Sequence, residues 1–171
     1  MTARVLMVGR FQPFHKGHIL VIQKILKRYP SLILGVGSAQ YSHTPENPFT
    51  AGERVEMAAA ALDEEGVKDF FVVPIEDINE HGRWVAHVES LVPRFAAVAT
   101  NNPLNRRLFQ EEGYEVCTTP LYSRHRYSGT VIRKRMLSGK PWKALVPEAV
   151  ARIIDEIDGV SRLRQLSGKD E

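Results

Sequence analysis

The chain reads as one doubly wound α/β domain, a parallel sheet of about five strands with helices on both faces. Three observations lead there. Short apolar, β-branched runs recur at Val5 to Val8, Leu32 to Val36, Phe70 to Val73 and Phe95 to Ala99, with a shorter fifth run near Glu115 to Thr118. The segments between them carry helical rather than alternating spacing, which is the pattern of strands joined by crossover helices. Helix-opening signals stand at Thr50 with Glu53, at Asn102-Pro103 and at Ser128, residue types that satisfy free backbone N–H groups.

Taken in order, the first strand is followed by a helix from about Gly17 to Tyr29, with Val21, Ile22, Ile25, Leu26 and Tyr29 on one stripe and Pro30 to stop it. After the second strand, the Thr50/Glu53 capping box opens a helix through Arg54, Val55, Met57, Ala58 and Leu62 that Gly66 closes. A helix from about Gly82 or Arg83 to Leu91 separates the third and fourth strands. Asn102 as N-cap with Pro103 behind it starts the next, ending at Gly113, and Ser128 starts another that runs to Gly139. From about residue 147 the tail is helical, with Val150, Ile153, Ile154, Ile157, Leu163 and Leu166 as its apolar positions and a break at Gly159.

Composition narrows the function classes. A chain of 171 residues with 43% hydrophobic content supports one well-cored domain, residues 1–171, and is short for two. The 23 basic and 20 acidic residues leave a net charge of +3, a mixed solvated surface that does not indicate a nucleic acid partner. Cys117 is the single cysteine, which excludes an intramolecular disulfide and fits a reducing compartment. No apolar stretch approaches the roughly 18 residues of a membrane span, so the expectation is a cytoplasmic protein with no membrane partner.

The chemistry concentrates in Gly9-Arg10-Phe11-Gln12-Pro13-Phe14-His15-Lys16-Gly17-His18, directly after the first strand. A buried strand ending in a glycine-punctuated loop with an Arg and two His is a cationic cradle at the carboxyl edge of a sheet. Gly17 between the imidazoles lets backbone N–H groups approach an anion, and the positive end of the following helix adds attraction. Far downstream, Ser128-Gly129-Thr130-Val131-Ile132-Arg133 opens a second helix with hydroxyls, free N–H groups and an Arg one turn in. On its own that is an ordinary N-cap. Two anion-binding helix starts in one domain imply a substrate with several phosphates held between them.

The string G-R-F-Q-P-F-H-x-G-H resembles the signature of the nucleotidylyltransferase superfamily, and within it the nicotinamide mononucleotide (NMN) adenylyltransferases of the archaeal type. The Ser128-to-Arg133 stretch is similar to that superfamily's S-x-T-x-x-R element, and Gly37-Ser38-Ala39-Gln40 and Asn47-Pro48-Phe49-Thr50-Ala51-Gly52-Glu53-Arg54 extend the likeness. The resemblance implies adenylyl transfer from ATP to NMN, giving NAD+ and pyrophosphate, with nicotinic acid mononucleotide as a further acceptor. It implies that His15 and His18 contact the ATP phosphates, His18 nearest the α-phosphate, while Arg10 and Arg133 neutralise charge. It assigns Gly9, Phe11, Gly17, Asn102, Ser128, Gly129 and Thr130 to ATP, and Ser38, Asp77, Ile78 and Trp84 to NMN. Trp84 would stack on the nicotinamide ring, or else be a core residue, and Asn79 and His81 are both candidates for its carboxamide. Mg2+ is implied, bound through substrate phosphates rather than a protein cluster, and a homo-oligomer is implied as the assembly.

Some residues depart from the family pattern or stay open. Glu46 stands where some relatives carry a basic residue that helps hold phosphates. Asn101 replaces a glycine before Asn102-Pro103, in a turn that Asn tolerates by its ease in left-handed backbone. Lys16 and the basic, aromatic Tyr122-to-Tyr127 loop read equally as ligand contacts or solvated surface, and Arg54 as a salt-bridging helix residue. Rival readings are a pantetheine-phosphate or FMN adenylyltransferase, which usually has a different lead-in to H-x-G-H, and a non-catalytic nucleotide-sensing module, which would have lost part of the His/Arg set.

Overall fold

Strand β1 (Arg4–Gly9) lies at the centre of a five-stranded sheet, between β2 (Ser31–Val36) and β4 (Ala97–Ala99), with β3 (Phe70–Pro74) and β5 (Glu115–Cys117) at the edges. The computed structural model describes residues 3–119 and 125–168. All neighbouring strands are parallel, in the order β3-β2-β1-β4-β5. The chain therefore reverses direction across the sheet between β1 and β4, and in such sheets a crevice opens beyond the strand ends at that point.

Helices α1 (Lys16–Ile25), α2 (Ala51–Glu64), α5 (Gly129–Ser138), α6 (Glu148–Glu156) and α7 (Gly159–Leu166) contribute to the core on one face, with Val5, Leu32, Leu34, Val36, Ala97 and Ala99 from the strands. Helices α3 (Trp84–Leu91) and α4 (Pro103–Glu111) cover the other face, on Leu6, Ile33 and Val98. Val5 and Leu6 point to opposite faces because side chains alternate along a strand. β2 is buried along its whole length, which is why its sequence is a continuous apolar run rather than an alternating one.

The expected elements are present with shifted ends. α1 stops at Ile25, and the bonds Lys27 to Lys24 and Arg28 to Ile25 tighten the chain into a narrower turn that still carries Tyr29 into the core. Phe95 lies outside β4, stacked on Tyr114 at 4.5 Å and edge-on to Phe109 at 6.2 Å. β5 ends at Cys117, and a short 3₁₀ turn, His81–Arg83, precedes α3. The break before α7 is made by Asp158, in left-handed backbone with φ 56°. Gly159 serves a different purpose, since a Cβ there would lie 2.9 Å from the Phe49 ring.

Candidate active site

The loop after β1 folds onto itself before it reaches α1. Phe11 takes left-handed backbone, φ 53°, and its ring turns back over Gly9, where a Cβ would sit 2.9 Å from Phe11 Cζ. Phe11 and Phe14 are buried with ring centroids 5.5 Å apart and lie 4.7 and 5.2 Å from the His18 ring. This apolar floor holds His18 from beneath. The His15 backbone N–H donates to His18 Nδ1 at 3.0 Å, and the His18 N–H donates to the His15 carbonyl at 3.0 Å. An accepting Nδ1 puts the neutral ring's proton on Nε2, so His18 is an N–H donor at its outer end.

The two imidazoles stack with centroids 3.6 Å apart. Burial lowers the His15 pKa to about 4, and burial followed by the neighbouring His15 holds His18 well below the usual histidine range. Both rings are therefore neutral at pH 7. His15 Nδ1 is buried without a hydrogen-bond partner among the described residues. Gly17 is required by contact: a Cβ would lie 2.9 Å from the His15 ring and 2.9 Å from Tyr127 Cβ, closer than such atoms come.

Side-chain amides grip the backbone of neighbouring loops in three places. Gln12 Nε2 donates to the Phe49 carbonyl and Gln12 Oε1 accepts from the Phe49 N–H, both at 3.0 Å. Gln40 does the same to Asp77, at 3.0 and 3.1 Å. Asn101 does it to Thr119, at 2.5 and 2.9 Å. Asn101 is absent from the left-handed residues, so its side chain rather than its backbone tolerance explains its place. Arg54 makes no salt bridge among the described residues. Fully buried, its guanidinium donates to the carbonyls of Arg10, Gly37, Ser38, Tyr41 and Thr50 at 2.8 to 3.3 Å. Burial and the nearby Arg10 pull its pKa down to about 10, so it stays charged and ties the loops after β1 and β2 together.

At α5, Ser128 Oγ accepts from the Val131 N–H at 3.1 Å, which settles the cap. Arg133 reaches past it and donates from Nη1 to the Gln12 carbonyl at 2.6 Å. A Cβ on Gly129 would meet Arg133 Nη1 at 2.7 Å and the Gln12 carbonyl oxygen at 3.0 Å, so glycine permits this approach. Burial, then Arg10, lower the Arg133 pKa, and the Glu46 carboxylate opposes them. Two guanidiniums that repel one another across a cavity form a site for anions.

Two cavities of about 410 Å³ each open beyond the strand ends. The first, at the β1/β4 reversal, is lined by Arg10, Phe11, His15, Gly17, His18, Asn102, Ser128, Gly129, Thr130 and Arg133. The second is lined by Ser38, Asp77, Ile78 and Trp84, and also by Gly9, Asn79 and His81. Arg10, Asn102 and Val8 line both. Lys16 is exposed and faces neither cavity. Of the Tyr122-to-Tyr127 loop, residues 122–124 lie outside the described residues, while Tyr127 lines the first cavity. Trp84 Nε1 is buried without a partner among the described residues.

A family profile described as cytidylyltransferase-like matches residues 6–135. A nicotinamide-nucleotide adenylyltransferase of Picrophilus torridus is 57% identical over 168 residues, 98% of this chain and 99% of that one. One from Thermoplasma acidophilum is 53% identical over 98% of this chain and 94% of that one. The chain belongs to the nicotinamide-nucleotide adenylyltransferase family. Among solved structures, a bifunctional NMN adenylyltransferase/ADP ribose pyrophosphatase from Francisella tularensis, complexed with AMP and manganese ion, matches with TM-score 0.77 over 97% of this chain at 21% identity. This chain spans about half of that one, 52%, and the likeness carries the fold.

In this family member the loops are held by Arg54 and Asn101, whose sequence positions suggested other roles, and by Gln12 and Gln40. Gln12 and Gln40 were visible only as parts of G-R-F-Q and G-S-A-Q, and nothing in the spacing said that each amide would bond both ways to a distant backbone. Among the described residues no helix is long and apolar enough to cross a membrane.

Proposed function

We propose that this chain transfers the adenylyl group of ATP to NMN, forming NAD+ and releasing pyrophosphate. The observation that carries this reading is that Arg10 lines both cavities. A guanidinium on their common wall is able to neutralise the acceptor's phosphate and the α-phosphate of ATP together. An oxygen of the NMN 5′-phosphate attacks the α-phosphorus in line, and the bond from that phosphorus to the bridging oxygen of the β-phosphate breaks. The acceptor phosphate is nucleophilic at pH 7 without a protein base, so the protein's work is positioning and charge stabilisation.

In this reading His18 donates from Nε2 to the α-phosphate, where negative charge grows. Arg133 and the first N–H groups of α5 hold the distal phosphates, and Trp84 stacks on the pyridinium ring of NMN, which suits a π-face. The donors around the first cavity are guanidinium, imidazole, hydroxyl and backbone N–H groups, which fit phosphate oxygens, and we assign Mg2+ as an ion carried in by the triphosphate and water. When bound, it would supply neutralisation of charge on the leaving pyrophosphate. We also assign a homo-oligomeric, cytoplasmic state, which sedimentation and cell fractionation test.

Pyrophosphate release with ATP, Mg2+ and one acceptor at a time tests the reaction. NMN should be the fastest, nicotinic acid mononucleotide slower, and pantetheine phosphate and FMN inactive. Preference for either of the last two would replace the proposed acceptor. Nucleotide binding with no turnover of any acceptor would make the chain a sensor.

A further inference from the structure

Asp77 is held in place by three hydrogen bonds, at the wall of the second cavity. Its Oδ2 accepts from Ser38 Oγ at 2.6 Å, and its backbone is gripped on both sides by Gln40, at 3.0 and 3.1 Å. Ser38 makes its bond from left-handed backbone, φ 49°, a conformation kept where surrounding contacts over-determine it and found often at ligand sites. Asp77 forms no ion pair among the described residues. The other carboxylate on this cavity, Glu80, lies 3.1 Å from Arg83. Arg10, on the wall shared with the first cavity, brings a guanidinium to this one, and the exposed His81 lines it too.

We propose that Asp77 is the specificity-determining residue of the acceptor site, favouring a pyridinium nucleotide with a neutral amide substituent over the same nucleotide with a carboxylate. The inference rests on the reaction proposed above. A ribosylated pyridinium carries a positive charge that a carboxylate on the cavity wall attracts. Nicotinic acid mononucleotide carries the same ring but adds a negative group at its edge, and bringing that group into a cavity with an unpaired carboxylate is repulsive. Discrimination of this kind works by penalising the wrong ligand as much as by attracting the right one. A like-charge contact in a partly desolvated site is worth roughly ten- to hundredfold in relative affinity.

The test is the ratio of kcat/KM for NMN to that for nicotinic acid mononucleotide at saturating ATP, in the wild type, in Asp77→Asn and in Ser38→Ala. The wild type should favour NMN by about tenfold or more. Asp77→Asn keeps the shape and an oxygen for Ser38 but removes the charge, and should lower the ratio by about tenfold with the KM for ATP unchanged. Ser38→Ala loosens the carboxylate and should move the ratio the same way by less. Equal or reversed preference in the wild type overturns the inference even if the Asn variant fails to fold, and so does a ratio unmoved by Asp77→Asn. Those results leave the reaction standing. A wild type that releases no pyrophosphate with either acceptor removes the reaction and this inference with it.

Discussion

Arg133 Nη1 donates to the backbone carbonyl of Gln12 at 2.6 Å, joining residues 121 positions apart in the chain. The bond holds the start of α5 against the loop that carries His15 and His18, so Arg133 helps shape the first cavity. Nη1 is committed to that bond, and the guanidinium also lines the first cavity. Arg133→Ala should therefore weaken ATP by about ten- to hundredfold, the worth of a hydrogen bond to a charged group, and weaken AMP by less. It should also lower the melting temperature, because the Gln12 carbonyl loses its donor. Isothermal titration with both nucleotides checks this, and equal loss for ATP and AMP would confine Arg133 to the structural bond.

The His18 ring has one end committed to the fold and the other to the cavity. His18→Asn keeps an acceptor for the His15 N–H but lacks the distant N–H donor. Its kcat should fall by about a hundredfold or more, the usual cost of losing one donor to a developing charge, with ATP still bound and melting little changed. His18→Ala should show the same kinetic loss and add about 1 kcal/mol of destabilisation from the emptied bond to the start of α1. Turnover near wild type in the Asn variant would remove His18 from the chemistry.

Trp84 lines the second cavity and not the first. Trp84→Ala should raise the KM for NMN about five- to thirtyfold with the KM for ATP little changed, corresponding to a stacking and cation–π contact of about 1 to 2 kcal/mol. Trp84 also packs on the cluster around Val85, Val88 and Phe109, so some thermal stability should be lost as well. Trp84→Phe should recover part of both. Destabilisation with unchanged NMN affinity would make Trp84 a packing residue only.

Acid should destabilise the protein in two windows. An unfolded histidine binds protons at about 6.5, while His15 in the fold does so at about 4. The contribution is complete above pH 6.5 and is lost as pH falls toward 4, by about 3 kcal/mol for His15, with His18 adding to the same loss. Glu53 titrates lower. Its hydrogen bonds to Arg162, at 2.6 and 2.8 Å, followed by its bond to Thr50, draw it from 4.5 to about 2 against the opposing cost of burial. That stability is present above pH 4.5 and lost as pH falls through 2. Denaturant unfolding at a series of pH values should show the upper window flattened in His15→Gln, and the lower one removed in Glu53→Gln with the upper intact.

The sequence by itself determined the strands, their parallel class and the starts of α2, α4 and α5, because these follow from local patterns. Continuous β-branched runs bury on both faces, and Thr50, Asn102 and Ser128 each satisfy an N–H three residues away. It also singled out the loop of His15, Gly17 and His18, which lines the first cavity. Only the tertiary structure decided that β4 pairs with β1 and so opens the crevice there, that Arg54 gathers five carbonyls and that Gln12, Gln40 and Asn101 clamp loops far from themselves. It alone put Glu53 against Arg162 on α7 and turned Ser38 toward Asp77. These contacts join residues 13 to 109 positions apart, apart from the Arg54 bond to Thr50. A side-chain amide or guanidinium looks the same in sequence whether it meets water or a backbone, and its partner is chosen only when packing brings the two together.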